Sequence, residues 1–585
     1  MTSDAHLALA DGQEHDVAEW ERAAAAVLRK AGRLGEDDPD HAVWERLAHT
    51  TLDGLAVTPL GTPELVADLP DPVRPPARGD GWDVRVLLAE PDAEAAHAAG
   101  LADLENGATS LLVQVGESGV DTADLAAVLD GVLLDVAPVV LDAPSDPLGA
   151  ARAFAEIARG TTLAAGTNLG VDPVGASLRG FEGQGSVREV VELAQELGCR
   201  ALVVDGTAVH DLGASDVQEL GYVLAVGADY LRALTEAGVS VDDAAGLVEF
   251  RLAATDEQFV TIAKLRAVRR LWARMLELSE ASVDHRQMVL HAITSRPMMA
   301  KYDPWVNMLR TCVAAFAAGV GGADAVTVLP FDARLGLPDG FSRRIARNTS
   351  SLLVEESHVA KVADPAGGAF AVEKLTDELA VAGWEELGRL EQSGGITKAI
   401  EDGSLRARID EVVAKRDQQV AKRVRPLTGV TEFPNLHETL PERTPYAEGA
   451  IRVRSYGEPF ESLRDDPATA QVFLATMGTI AAHTARATFA TNLFAAGGID
   501  VVNEGRHDDV EAVLSHYDGQ PVVCLVGPDK AYAAWGADLA AGLREAGARW
   551  VILAGKPVDG VDTDDTCAMG VDALDFLHRT RERLS

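Results

Sequence analysis

Eight short apolar runs, each leading into a stretch with helical spacing, fill the first two-thirds of this 585-residue chain. They are Val84–Ala89, Ser110–Val115, Val136–Leu141, Thr161–Ala165, Ala201–Asp205, Leu247–Leu252, Met288–Ile293 and Ala325–Leu329. Runs rich in Val and Leu without polar alternation are what a sheet covered on both faces requires, since none of its side chains meets water. Eight strand–helix units in series can close on themselves. The pattern therefore predicts a (β/α)8 barrel, an α/β fold whose chemistry sits at the C-terminal ends of the strands.

The chain is too long for one core, and its rhythm divides it into two or three units. Residues 1–75 read as an N-terminal helical arm. It holds an amphipathic helix over Val17–Lys30 and a second over Asp40–Thr50, and it ends in the proline-rich stretch Leu69–Arg78. The barrel is expected over 76–395, with helices at Asp92–Asn106, Ser186–Leu197 and Asp256–Leu278, and one opened by Asp303-Pro304 at its first helical position. Residues 396–465 read as a helical and irregular linker, within a polar helical stretch that begins at Glu373. Over 466–585 strands and helices alternate again: Val472–Met477, Ile499–Val502, Pro521–Val526 and Trp550–Leu553 are separated by helices at Ala481–Ala496, Asp508–His516 and Asp529–Ala546. That predicts an open, doubly wound sheet of the flavodoxin-like type.

A net charge of −39 repels a nucleic-acid backbone and admits an anionic ligand only where basic residues gather locally. No apolar run is long enough to span a bilayer. Met1–Val17 has neither the basic start nor the apolar stretch of a signal peptide, so the cytoplasm is the expected compartment. Cys199, Cys312, Cys524 and Cys567 are scattered singly, with no CxxC and no HExxH nearby. Reduced, mostly buried thiols are expected, with no disulfide framework and no zinc site. Gly183-Gln184-Gly185 lacks a third glycine and follows no strand, so it reads as a plain loop.

Polar residues at the expected strand ends are Asp142, Asn168, Asp205, His210, His291 and Thr294. Each is a candidate acid–base group, or else a ligand of loop backbone. His483, near the start of a helix in the last unit, reads either as a partly buried helix residue or as a metal ligand.

Longer motifs carry a resemblance. Phe259–Met275 (FVTIAKLRAVRRLWARM) resembles the pattern F-x-x-I-A-K-x-R-A-x-R-x-L-W-A of the methylmalonyl-CoA mutase family. Asp303–Arg310 (DPWVNMLR) resembles its D-P-x-x-N-x-x-R. Thr51–Leu60, Phe341–Glu356 and Asp364–Glu373 resemble three further blocks, in order along the chain. The resemblance implies an N-terminal arm, a barrel that binds acyl-CoA and a C-terminal domain that binds adenosylcobalamin.

Departures from the family pattern carry their own implication. The family grips cobalt through D-x-H-x-x-G, whereas this chain has Ala481, His483 and Arg486 there. The carboxylate that orients the imidazole is gone, and Arg486 occupies the place of the glycine that leaves room for the nucleotide tail. The family's serine-bearing strand end is replaced by Val526-Gly527-Pro528, and its second glycine-rich turn by Ala554-Gly555-Lys556-Pro557. Thr207 and Ala208 stand where catalytic members have tyrosine and histidine, and Val203 stands where a small serine keeps the axis open. His291–Arg296 replaces H-x-Q-T-S-G, and the T-x-Y clamp has no counterpart in Arg78–Val86. Branched side chains are then expected to fill the axis.

Together these departures imply no catalytic, cofactor-binding or metal-binding residue in this chain, with His483 a vestigial position. They resemble the small (beta) subunit of the bacterial heterodimeric enzyme. Its large (alpha) subunit would hold adenosylcobalamin and acyl-CoA and interconvert (R)-methylmalonyl-CoA and succinyl-CoA. Two alternatives stay open: a self-sufficient acyl-CoA mutase with His483 as a weak cobalt ligand and Asp205 and His210 as acid–base groups, and a transient regulatory partner of the mutase.

Overall fold

The structure is a computed structural model that describes residues 16–70, 72–76, 78–79, 81–117, 119–181, 187–447 and 452–585. The leader reading of Met1–Val17, except for its last two residues, the loop at Gly183–Gly185 and the helix start at Ser186 lie outside the described residues.

Eight parallel strands close into a barrel: β1 (Asp83–Leu88), β2 (Ser110–Gln114), β3 (Val139–Asp142), β4 (Asn168–Val171), β5 (Arg200–Asp205), β6 (Val248–Ala254), β7 (Leu290–Thr294) and β8 (Ala325–Thr327). β8 pairs with β1, Ala325 opposite Asp83, which closes the ring. Seven of the eight apolar runs overlap these strands. The fourth does not: Thr161–Ala165 is loop, its Thr161 and Ala164 amides bonded to the carbonyls of Ala158 and Leu134. The strand begins three residues later, at Asn168. It contains Gly170 at φ +70° beside a register shift, and a Cβ there would lie 1.7 Å from the Leu141 carbonyl oxygen. Only glycine fits, and glycine carries no strand signal.

The arm holds α1 (Val17–Lys30), capped by Asp16. Its second helix is shorter than expected. Asp40–Ala42 is a 3-10 turn, Val43–Leu47 is helical, and His49–Thr50 pairs antiparallel with Ala56–Val57.

Around the barrel run α2 (Ala93–Glu105), α3 (Asp216–Glu236), α4 (Gln258–Leu278), α5 (Val306–Val320), α6 (Gly340–Ser351) and α7 (Phe370–Gln392), among others. The polar stretch from Glu373 is not all linker, because α7 packs on α3 and α4 and buries Leu375, Leu379 and Leu390. A Cβ at Gly221 would meet Glu386 and one at Gly383 would meet Leu220, so these glycines set how closely α3 and α7 approach.

The motif residues explain themselves mechanically. On α4, Lys264 reaches Glu219 at 2.6 Å and Asp216 at 2.8 Å. Arg266 pairs with Asp364 and with Glu373 at 2.7 Å. Arg269 reaches Asp324 at 2.7 Å. All three cations are buried, and each ties α4 to a different neighbour. Helix α5 starts at Val306 rather than Pro304, because Asp303 takes a left-handed φ of +49°. Asn307 then donates to the carbonyls of Ala300 and Phe331, both at 2.8 Å, clamping the loops that follow β7 and β8.

After α8 (Ser404–Ala421) and an irregular stretch, β9 (Val472–Thr476), β10 (Val501–Val502), β11 (Val522–Val526), β12 (Trp550–Ala554) and β13 (Asp565–Cys567) form a parallel sheet in the order β10-β9-β11-β12-β13. This is the flavodoxin-like order. Helices α9 (Ile480–Ala496) and α10 (Ala573–Leu584) cover one face with Leu493, Phe494, Phe576 and Leu577. Leu539, Leu543 and Tyr532 cover the other. The edge strand β13 escapes the sequence pattern because Asp565-Thr566-Cys567 is short and polar.

Candidate functional site

Arg85 on β1 donates to Glu249 on β6 at 2.6 Å, although the neighbours of β1 are β8 and β2. Arg251 on β6 lies 3.6 Å from Asp142 on β3 and 3.2 Å from Asp205 on β5. Side chains on non-adjacent strands can meet only across the interior, so an ionic network occupies the barrel axis. Arg85 also reaches Asp83 at 3.0 Å, and Arg179 reaches Asp205 at 2.8 Å. Arg85 and Arg251 are 3% exposed and Glu249 is fully buried.

The expected aliphatic plug is therefore present only in part. Val203 is inward, in register with Glu249, and is buried along with Leu112, Val140 and Ile293. Charged side chains complete the filling. The signal was available: in Glu249-Phe250-Arg251 two charges stand two residues apart inside an apolar run, and residues so spaced share one face of a strand.

Of the six candidates, the interior joins Asp142, Asp205 and His291. Burial works to raise the Asp205 carboxyl, but Arg179, Arg251 and the Thr207 hydroxyl at 2.7 Å outweigh it and hold it well below the usual range. Burial, reinforced by Arg85, pushes His291 well below the ordinary imidazole range. Its Nε2 meets the Thr327 hydroxyl at 2.8 Å, and its Nδ1 has no hydrogen-bond partner. His210 stands apart, with Nε2 2.7 Å from Ser295 Oγ; burial and Lys264 lower it as well. Asn168 and Thr294 serve backbone: Asn168 accepts from Gly170 N at 2.9 Å and Thr294 Oγ1 from Leu329 N at 2.8 Å. Ala208 lies buried in the short helix Thr207–His210. A cavity of about 560 Å³ lies beside the ends of β1, β2 and β8, and none of the six lines it.

In the C-terminal sheet, ligands of this fold class sit in the crevice beyond the strand tips at the switch point. Here side chains fill it. Tyr532 Oη donates to Ala554 O at 2.8 Å and accepts from Gly527 N at 2.9 Å, bridging the tips of β11 and β12. Arg486 lies over the Tyr532 ring at 5.2 Å and donates to Gly527 O and Asp529, each at 2.5 Å. A Cβ on Gly527 would meet Met477 Cβ at 2.7 Å. Gly555, in the turn after β12, closes against the Arg486 guanidinium.

Ala481, His483 and Arg486 all lie in the first two turns of α9. His483 is only 4% exposed, so it is not presented to a ligand above the sheet, and its Nδ1 is buried without a partner. His507 is a residue that sequence reasoning missed. Its Nδ1 lies 2.9 Å from Thr476 Oγ1, and its carbonyl accepts from Gly478 N, locking the loops after β9 and β10 together.

Among the described residues no group of three or more His, Cys, Asp or Glu is placed to hold a metal ion, and no helix is long and apolar enough to cross a membrane. All four cysteines are free. Cys524 and Cys567 are buried, Cys199 is half-buried and Cys312 is exposed, so two of the four meet the expectation of mostly buried thiols.

A family profile described as methylmalonyl-CoA mutase matches residues 192–496. A methylmalonyl-CoA mutase small subunit from Streptomyces virginiae is 45% identical, over 97% of this chain and 96% of that one. A probable methylmalonyl-CoA mutase small subunit from Mycobacterium tuberculosis is 42% identical over 92% of each chain. A methylmalonyl-CoA mutase small subunit from Propionibacterium freudenreichii subsp. shermanii is 35% identical over 97% of this chain and 94% of that one. With ordered motifs, a closed barrel, a flavodoxin-like sheet and full-length relatives in agreement, this chain belongs to the methylmalonyl-CoA mutase family.

Proposed function

We propose that this chain is the non-catalytic small subunit of a heterodimeric methylmalonyl-CoA mutase. Its partner, the large subunit, interconverts (R)-methylmalonyl-CoA and succinyl-CoA with adenosylcobalamin. The observation that carries the reading is the ionic filling of the barrel axis, where Arg85, Glu249, Arg251 and Asp205 stand in the path that an acyl-CoA arm would need.

The C-terminal crevice supports the same reading. A corrinoid tail needs space between the sheet and its helices, and Arg486, Tyr532 and Met477 take that space. An imidazole ligand must project from its element, and His483 is buried within α9. These residues do not fit a corrinoid. Acyl-CoA and cofactor are therefore assigned to the large subunit, and the chain's own contribution is a stable, closed partner for it.

The purified chain, given adenosylcobalamin and methylmalonyl-CoA, should show no turnover and no shift of the corrinoid spectrum, whereas the co-expressed pair should show both. Turnover by this chain alone would refute the proposal. A second reading, a self-sufficient mutase with His483 as a weak cobalt ligand, draws on the unpartnered Nδ1 of that residue. It requires a base-off, His-on spectrum from the isolated chain that disappears in His483→Ala.

A further inference from the structure

Arginines gather in one place on this acidic chain. Arg296, Arg334, Arg343, Arg344 and Arg347 line the cavity of about 560 Å³ beside the ends of β1, β2 and β8, with Glu90 and Asp103 the carboxylates of the lining. The chain as a whole carries 52 basic against 91 acidic residues, so composition alone would not put an excess of cations along one cavity.

Those charges are incompletely matched. Arg343 and Arg347, one turn apart on α6, both grip Asp103, so two guanidiniums share one carboxylate. Arg347 is 8% exposed, and its Nε is buried without a hydrogen-bond partner. The Nε of Arg334 is likewise buried and unpartnered, with Glu461 3.6 Å from its Nη2. Arg296 pairs with Asp211 at 3.1 Å, and Arg344 lies over the Phe341 ring at 5.5 Å. Two guanidiniums on one carboxylate leave a local excess of positive charge, which favours an incoming anion.

The opposite wall is apolar. Ala95, Ala99 and Ala102 on α2 are spaced i, i+4, i+7 and so turn a row of methyl groups to the cavity. Leu87, Met299 and Leu329 extend that wall. A volume of this size lies in the range of about 300–1,000 Å³ that holds organic ligands rather than a bare inorganic ion. Planar guanidinium forks match phosphate oxygens two at a time, which a cluster of lysines would not do.

From this we infer that the cavity binds an organic phosphate, its phosphate on the arginines of α6 and of the loops after β7 and β8 and its apolar body along α2. The site is independent of the subunit role proposed above, because none of the charged residues that fill the axis lines it.

Isothermal titration of the full chain tests this with ADP as the probe, and with pyrophosphate and adenosine as its two halves. ADP should bind saturably, and each half should bind roughly tenfold or more weakly, since each loses one wall of contacts. The variant Arg334→Glu/Arg344→Glu should lose ADP affinity at least about tenfold, while Arg343 and Arg347, which anchor α6 to Asp103, are left in place. Ala99→Trp, which fills the site from its apolar side, gives a second test should the charge reversal disturb folding, and it should also abolish binding. No heat from ADP at millimolar concentration, affinity unchanged in both variants, or pyrophosphate binding as tightly as ADP would each overturn the assignment. Because the titration needs neither the large subunit nor a corrinoid, its failure leaves the proposed subunit role untouched.

Discussion

Replacing Glu249 by leucine strands the Arg85 guanidinium inside the barrel. The wild-type contact is 2.6 Å between side chains that are 3% and 0% exposed, so no water compensates the loss. Breaking such a buried pair from one side typically costs about 3–5 kcal/mol. Arg85 keeps Asp83 at 3.0 Å, but that carboxylate is 22% exposed and correspondingly weaker, which places the expected loss near 3 kcal/mol, on the order of 150-fold in an equilibrium constant. Native-state hydrogen exchange of the β5, β6 and β7 amides reads this locally, without assuming that the whole chain unfolds as one unit. Exchange there should accelerate by about that factor in Glu249→Leu. In Arg85→Met/Glu249→Leu both charges leave together, and such replacements are often neutral or stabilising, so protection should return to within a few-fold of wild type. If the double variant is as damaged as the two single variants added together, the two charges do not act as a pair across the interior and the account of the axis fails.

Burial, with Asp205 nearby, raises the Asp172 carboxyl from 3.8 to about 6 while it caps the helix Pro173–Leu178, and its Oδ2 is buried without a partner. The folded pKa lies above the unfolded one, so the stabilisation is full below pH 4 and is lost as pH rises through 6. Asp172→Asn keeps the cap and removes the charge. It should stabilise by roughly 1–3 kcal/mol at pH 7.5 and hardly at all at pH 4 in thermal melts, and a gain independent of pH contradicts the assignment. Gly170→Ala should collapse soluble expression, with a loss of more than about 4 kcal/mol, because its Cβ would lie 1.7 Å from a carbonyl oxygen; a melting temperature within roughly 2 °C of wild type would rule that out. Tyr532→Phe leaves Gly527 N and Ala554 O without their shared partner, and β11 and β12 should lose about 1–3 kcal/mol of exchange protection. It should gain no corrinoid binding, since the ring and Arg486 still fill the crevice, and a corrinoid spectrum from Tyr532→Phe would show that reading to be mistaken.

The barrel was legible because strands buried on both faces are written mostly in apolar residues, and seven runs marked them. The fourth was hidden by Gly170, whose left-handed backbone serves the fold but reads as a break. β13 was hidden because an edge strand of three residues can carry Asp565 and Thr566. At the candidate site, Arg486 stood out from the sequence as a residue too large for its place, and it lies in the crevice. The axis was harder. Arg85 and Glu249 are 164 residues apart, and nothing local announces that they meet. The alternation in Glu249-Phe250-Arg251 could have warned of it, but an apolar run invites the assumption that every side chain in it is apolar. Lys264, Arg266 and Arg269 made the strongest motif in the chain, and what they report is how a helix is fastened to the barrel.

A crossed interior also decides how much of the polypeptide must exist before any of it can mature. Severed between β4 and β5, the N-terminal half-barrel would hold Arg85 without Glu249 and Asp142 without Arg251. Each fragment would keep only part of its pairing, Arg85 with Asp83 and Arg251 with Asp205, and each would expose two open strand edges. During synthesis the cross-barrel pairs of the first four strands, Arg85 with Glu249 and Asp142 with Arg251, can therefore form only after β6 has left the ribosome.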